Sequence, residues 1–195
     1  MANLNVEIQK PDIQTVSLGI VGTNALICHK WSDRSKKGML DNQMKKAKVG
    51  KTAKDPQLDY EESLYRHPDG GYGFPAIAFK LAAVRAAKMA GMNMTDARTL
   101  FYINEDLVKI KGKPSMREDM VKIAKGTADI RYRGEFKTWE TDLTITYNAS
   151  VCSLEQIVNL ISLAGFSTGV GEWRPERNGQ FGTFKIKSSE SRRRN

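Results

Sequence analysis

At 195 residues the chain is long enough for one domain with a sizeable core, and 40% hydrophobic against 27% charged residues is an ordinary globular balance. Thirty-one Lys and Arg against 22 Asp and Glu leave a net charge of +9, which favours a polyanionic partner. Two cysteines, two histidines, the lack of any apolar run near 20 residues and the lack of a signal-peptide pattern exclude a disulfide framework, a His-rich metal site and a spanning helix. The expectation is a cytoplasmic protein with no cofactor, no metal and no membrane contact.

Thr15–Gly22 alternates Val16, Leu18 and Ile20 on one face, as a half-buried strand does. Residues 30–54 then carry nine Lys and Arg against Asp33 and Asp41, a net of +7. Ser32 or Asp33 can cap a helix there, with only Met39, Leu40 and Met44 as apolar stripe, so the segment reads as an exposed basic arm. Residues 55–72 are acidic and polar, ending in a turn-rich loop at His67–Gly73. From Pro75 an alanine-rich helix runs to Gly91.

Leu100–Ile103 and Leu107–Ile110 are strand-like. Met120–Ala124 and Asp129–Arg133 flank a turn and form a basic ribbon with Arg117, Lys122, Lys125, Arg131 and Arg133. Trp139–Tyr147 alternates strongly, and Ser153 caps an apolar helix over 154–164. A glycine-rich segment, Gly165–Gly182, leads to a last short strand at 183–187, and the basic tail 188–195 reads as disordered. Without the insertions the order is βαββαβ, an α+β fold with a ferredoxin-like core, decorated by a basic helical insertion (23–74) and a basic β-ribbon or thumb (112–137) within one domain over 1–187.

The glycine-rich segment joins Gly169 and Gly171, which permit close backbone approach, to Trp173, Arg174 and Arg177, which can stack on a base and pair with phosphate. A dinucleotide fingerprint is excluded because the segment follows a helix and Arg174 stands where the third glycine belongs. Gly50-Lys51-Thr52 lacks the upstream glycine of a P-loop. The charge is confined to decorations, since residues 1–29 sum to −1 and 138–171 to −3. That distribution suits phosphate-tracking arms, with Lys30, Trp31, Arg34, Lys36, Lys37, Lys45 and Lys46 as the contacts from the first. His29 could act as general base for attack by a ribose 2′-hydroxyl, and a polar-loop histidine is the plainer reading. Glu61-Glu62 and Glu118-Asp119 are adjacent pairs that diverge, so a two-metal nuclease lacks its ligands.

The predicted ferredoxin-like core with its strand-proximal insertion and late glycine-rich loop resembles the RAMP superfamily of CRISPR systems, above all the backbone subunits that polymerise along guide RNA. The chain also resembles a widespread bacteriophage protein family, through Gly19–His29, Gly73–Phe79, Met116–Asp119 and Gly169–Pro175. The RAMP resemblance implies a helical or chain-like homo-oligomer in the host-cell cytoplasm. Its thumb would be Arg117–Arg133 and its phosphate-binding loop Gly169–Gly182, with no clear catalytic set. The resulting expectation is a phage protein that coats single-stranded DNA or RNA through backbone contacts, without catalysis. The alternatives are a metal-independent endoribonuclease using His29, and a virion or host-interaction protein whose basic arm meets a phage or host partner.

Overall fold

A computed structural model describes residues 10–47, 53–122, 126 and 128–187. The tail 188–195 and the cations Lys48, Lys51 and Lys125 lie outside the described residues. The fold is mixed α+β with antiparallel sheets.

The largest sheet is built on β1 (Ile13–Gly22), whose even-numbered residues Leu18 and Ile20 are buried while Thr15 and Ser17 face solvent. Later strands flank it: β9 (Glu140–Asn148) pairs with it from Ile13↔Asn148 to Val21↔Glu140, and β10 (Phe184–Ile186) takes the other edge at Ile20–Gly22. The short β5 (Phe101–Ile103) adds to the far side of β9, giving the order β10-β1-β9-β5. Two helices cover one face of this sheet. In α3 (Ala76–Ala86), which continues as a 3-10 turn to Ala90, Phe79, Ala83 and Val84 are buried. In α5 (Leu154–Ser167), Ile157, Leu160 and Ile161 are buried. Small side chains on α3 let the helices approach closely, and α5 starts at a complete capping box between Ser153 and Gln156. The core is sealed by Phe79, Trp139 and Phe184, whose ring centroids lie 5.4–6.3 Å apart. Trp139 occupies the space a Cβ on Gly22 would need and donates its indole N–H to the Asn24 carbonyl at 2.9 Å.

The remaining strands build two three-stranded sheets. β2 (Leu26–Cys28), β7 (Pro114–Lys122) and β8 (Ala128–Phe136) form one, in the order β2-β8-β7. β3 (Tyr65–Arg66), β4 (Tyr72–Pro75) and β6 (Leu107–Ile110) form the other. The ribbon is thus longer than its sequence pattern predicts and is rooted in the body through β2. Residues 100–110, a single strand position in the expected βαββαβ order, divide between elements. Leu100 ends α4 (Met94–Leu100), and the polar Asn104–Asp106 turn sends β5 and β6 to different sheets. Within the acidic stretch lies α2 (Pro56–Ser63), capped by Asp55 and packed on β8, where Gly134 makes room for Leu64. The arm contains α1 (Asp33–Gln43), capped by Ser32, with no buried residue.

Candidate nucleic-acid interface

The glycine-rich segment folds back on itself and onto β2. Its Val170 N–H donates to the Gly182 carbonyl at 2.9 Å and its Phe181 N–H to Trp173 at 2.9 Å. Gly182 donates to Ala25 at 2.7 Å and Glu172 to Ile27 at 3.0 Å, which fastens the loop to the first strand of the ribbon sheet. Gly171 has φ +81°, and a Cβ there would stand 2.6 Å from the Ile27 carbonyl oxygen, so the close approach requires glycine. Trp173 and Asn178 adopt left-handed backbone at φ 53° and 60° around the 3-10 turn Pro175–Arg177. The amides of Val170, Glu172, Phe181 and Gly182 are thereby spent inside the protein.

Under this loop lies a junction of charges. Arg133 is almost enclosed, with 3% of its side chain exposed, and donates to Asp119 at 3.0 Å while Glu172 lies 3.7 Å away. Its Nε has no hydrogen-bond partner among the described residues. Arg117 bridges Asp119 and Glu135, both at 2.8 Å, and lies against the Phe181 ring. Trp173 stands 6.0 Å from the Arg133 guanidinium and points its indole N–H at Asp119 from 3.4 Å. His29, just past β2, brings Nδ1 to 3.7 Å from Glu172. The nearby His29 imidazole, with Arg133 and Arg174, holds the Glu172 carboxyl below the usual carboxylate range. Arg174 donates to the Gly171 carbonyl at 2.8 Å and to Glu176 at 2.9 Å, and Glu176 also pairs with Arg85 of α3.

Of the cations expected at the interface, Arg117 and Arg133 therefore hold the loop to the ribbon, and Arg174 braces the loop internally and, through Glu176, toward α3. Gly169 and Gly171 serve the same packing. Arg34 pairs with Asp59 and Glu62, Lys36 with Asp33, Lys46 with Asp41 and Arg131 with Asp129. Lys30, Lys37, Lys45, Lys122 and Arg177 have no ion-pair partner among the described residues. Clefts adjoin the junction, among them one of about 430 Å³ beside Arg117, Asp119, Trp173 and Phe181 and three others. One of about 300 Å³ runs between the arm and the ribbon and is lined by Lys30, the 54% exposed Trp31, Arg34, Arg131 and Tyr132. A second of about 360 Å³ is walled by Val121, Arg133, Glu172, Trp173, Arg174 and Arg177. The third, about 230 Å³, has an apolar floor including Tyr65, Phe74 and Leu81 and a rim of His29, Glu172, Arg85 and Arg174. His29 lines the clefts of about 300 Å³ and about 230 Å³.

Sequence reasoning missed Glu172, Asp119 and Glu135 as members of this junction. A usable signal exists: Arg117, Asp119, Arg131, Arg133 and Glu135 fall at alternate positions of two paired strands, which places them on one face as an ion ladder. Glu172 and Glu176 are the two acids of the loop and match its two arginines in number. Among the described residues no helix is long and apolar enough to cross a membrane. No protein-family model and no curated protein matches the chain. Among solved structures it is similar to the crystal structure of Cmr6 from Pyrococcus furiosus, at TM-score 0.48 and 8% identity, covering 90% of this chain and 99% of that one.

Proposed function

We propose that the protein binds single-stranded DNA or RNA through its backbone, oligomerises along it, and does no chemistry on it. The observation that carries this reading is the convergence of arm, ribbon and loop on one junction whose clefts expose stacking rings (Trp31, Trp173) beside Lys30, Arg131 and Arg177. Phosphates would be neutralised by cations with no partner of their own, chiefly Lys30, Lys37, Lys45, Lys122 and Arg177. Bases would stack on the two tryptophans, which is tolerant of sequence. The ion-paired Arg34, Lys36, Lys46 and Arg131 would contribute by exchanging a carboxylate for a phosphate. The scaffold proposed for this is a single RAMP-like domain with a ferredoxin-like core; the order β10-β1-β9-β5 with α3 and α5 on one face supports it. A phage origin and a host-cytoplasmic site of action complete the proposal.

Fluorescence anisotropy with a labelled 30-mer tests it. Log affinity should fall linearly with log salt, and Lys122→Glu with Arg177→Glu should weaken binding at least tenfold and reduce the slope by about 2. Wild type with no single-strand binding at 50 mM salt, or a double variant that binds equally well, overturns the reading.

One observation favours a second reading, metal-independent RNA cleavage. His29 and an ionised Glu172 are paired at 3.7 Å in a cleft rimmed by Arg85 and Arg174. There His29 would take the 2′-hydroxyl proton as that oxygen attacks phosphorus and the 5′-oxygen leaves, giving a 2′,3′-cyclic phosphate. Cleavage of labelled RNA by wild type, lost in His29→Ala with binding intact, would establish it; an uncleaved substrate removes it.

A further inference from the structure

We infer that α1 of one copy docks into an acidic cleft beside β5 of the next copy, so that the chain assembles head to tail. The inference deepens the oligomer-forming part of the reading above, and rests on it. Two surfaces that differ in charge and are left uncovered by their own chain carry the argument.

The first is the outer flank of α1. The helix is moored to the body on one side, where Arg34 reaches Asp59 and Glu62 of α2. At 100° per residue Met39 lies about 140° from Arg34 and Leu40 about 120°, so both point away from the mooring. Met39, Leu40 and Met44 are 50–58% exposed, and no residue of the helix is buried. Such a stripe costs solvation in a lone chain and marks a contact surface. Lys37 and Lys45, without ion-pair partners among the described residues, give it a cationic margin.

The second is a cleft of about 200 Å³ lined by Ile77 and Lys80 of α3, Ile103 of β5, and Glu105 and Asp106 of the following turn. Ile77 and the neighbouring Tyr102 are more than half exposed. Glu105 and Asp106 have no ion pair among the described residues, and the Glu105 Oε2 is buried without a hydrogen-bond partner. Lys80 does not fill the gap: its ammonium sits 4.1 Å from the centre of the Tyr102 ring, and burial holds it below the ordinary lysine range. The cleft therefore offers apolar walls and two uncompensated carboxylates, which is the complement of the α1 stripe and its lysines. The stripe from Met39 to Met44 is about 8 Å long. Because donor and acceptor surfaces differ, the contact is heterologous and propagates into a ring or filament rather than closing as a two-fold dimer.

Sedimentation velocity on the full chain without nucleic acid tests this. Wild type should associate with rising concentration, while Glu105→Lys with Asp106→Lys should remain monomeric. Lys37→Glu with Lys45→Glu should also remain monomeric. An equimolar mixture of the two variants should associate again, since each arm then meets a cleft of opposite charge; misfolded variants would not. Wild type that is monomeric up to about 100 µM, variants that associate like wild type, or a mixture that stays monomeric would each overturn the contact. Binding of a short oligonucleotide separates the two readings, because the Glu105/Asp106 variant retains every proposed nucleic-acid residue and should bind within twofold of wild type. Wild type that associates yet binds no single strand defeats the nucleic-acid reading and supports this contact. Wild type that binds as a monomer does the reverse.

Discussion

The arm and the ribbon carry similar basic sequences and use them in opposite ways. In the ribbon, Arg117 and Arg133 are drawn inward by Asp119, Glu135 and Glu172, and the resulting junction fixes the glycine-rich loop to the sheet. In the arm, α1 has no buried residue, and its ion pairs are exposed, either local as Lys36 with Asp33 and Lys46 with Asp41 or made to α2 by Arg34. The difference lies in what each segment packs against. β8 is covered by α2 and paired to β2, so its charges lose water and need partners, whereas α1 keeps its water and its cations stay available. A positive charge in sequence is therefore an interface residue only where the fold leaves it hydrated.

This contrast can be broken most sharply at the junction. Arg133→Ala removes one of the two arginines that pair with the buried Asp119 and empties the space under the loop, and should cost about 3 kcal/mol in urea unfolding. Lys37→Ala should stay within about 0.5 kcal/mol of wild type. Equal costs at the two sites would erase the distinction. Gly171→Ala forces a Cβ toward the Ile27 carbonyl at a positive φ, and a loss of about 2 kcal/mol with undiminished far-ultraviolet dichroism is expected. Ser153→Ala removes the capping box of α5 and should cost about 1 kcal/mol, a scale for effects remote from both regions.

The acid response sharpens the same point. Glu172 has a folded-state pKa below its unfolded value, so the stability it contributes is present above the unfolded value and is lost as pH falls through the folded one. Glu172→Gln should flatten that acid limb in a series of thermal melts between pH 6 and pH 3 (the usual carboxylate range and below). Removing the arm's Asp33, which is fully exposed, should leave the limb in place. The smallest effect is chemical: burial pushes the Cys28 thiol up to about 12, so alkylation of native protein at pH 8 should spare Cys28 until the protein unfolds.

How much of this was legible in the sequence follows from which forces are local. β1, β9, α3 and α5 announce themselves because alternation, alanine content and the Ser153–Gln156 pair are short-range signals. The helix in the arm and its Ser32 cap were legible for the same reason. β2, β4 and α2 were missed: Leu26–Cys28 and Tyr72–Pro75 are too short for a period to show, and Asp55–Pro56 was read only as an acidic stretch. At the candidate site, Trp31, Lys122 and Arg177 stand exposed as their residue types suggest. Arg133 does not: Asp119 meets it across the hairpin, but Glu172 and Trp173, which complete its burial, are distant in sequence and are brought near by the loop's attachment to β2.

The position of β1 at the middle of its sheet has a consequence for folding. Both of its neighbours come from the far end of the chain: Thr15 meets Thr146, 131 residues later, and Thr23 meets Thr183, 160 residues later. β1 therefore stays unpaired on both sides until β9 and β10 are available. Folding of the central sheet is dominated by non-local pairing, which makes it slow and leaves an alternating apolar strand uncovered in the meantime.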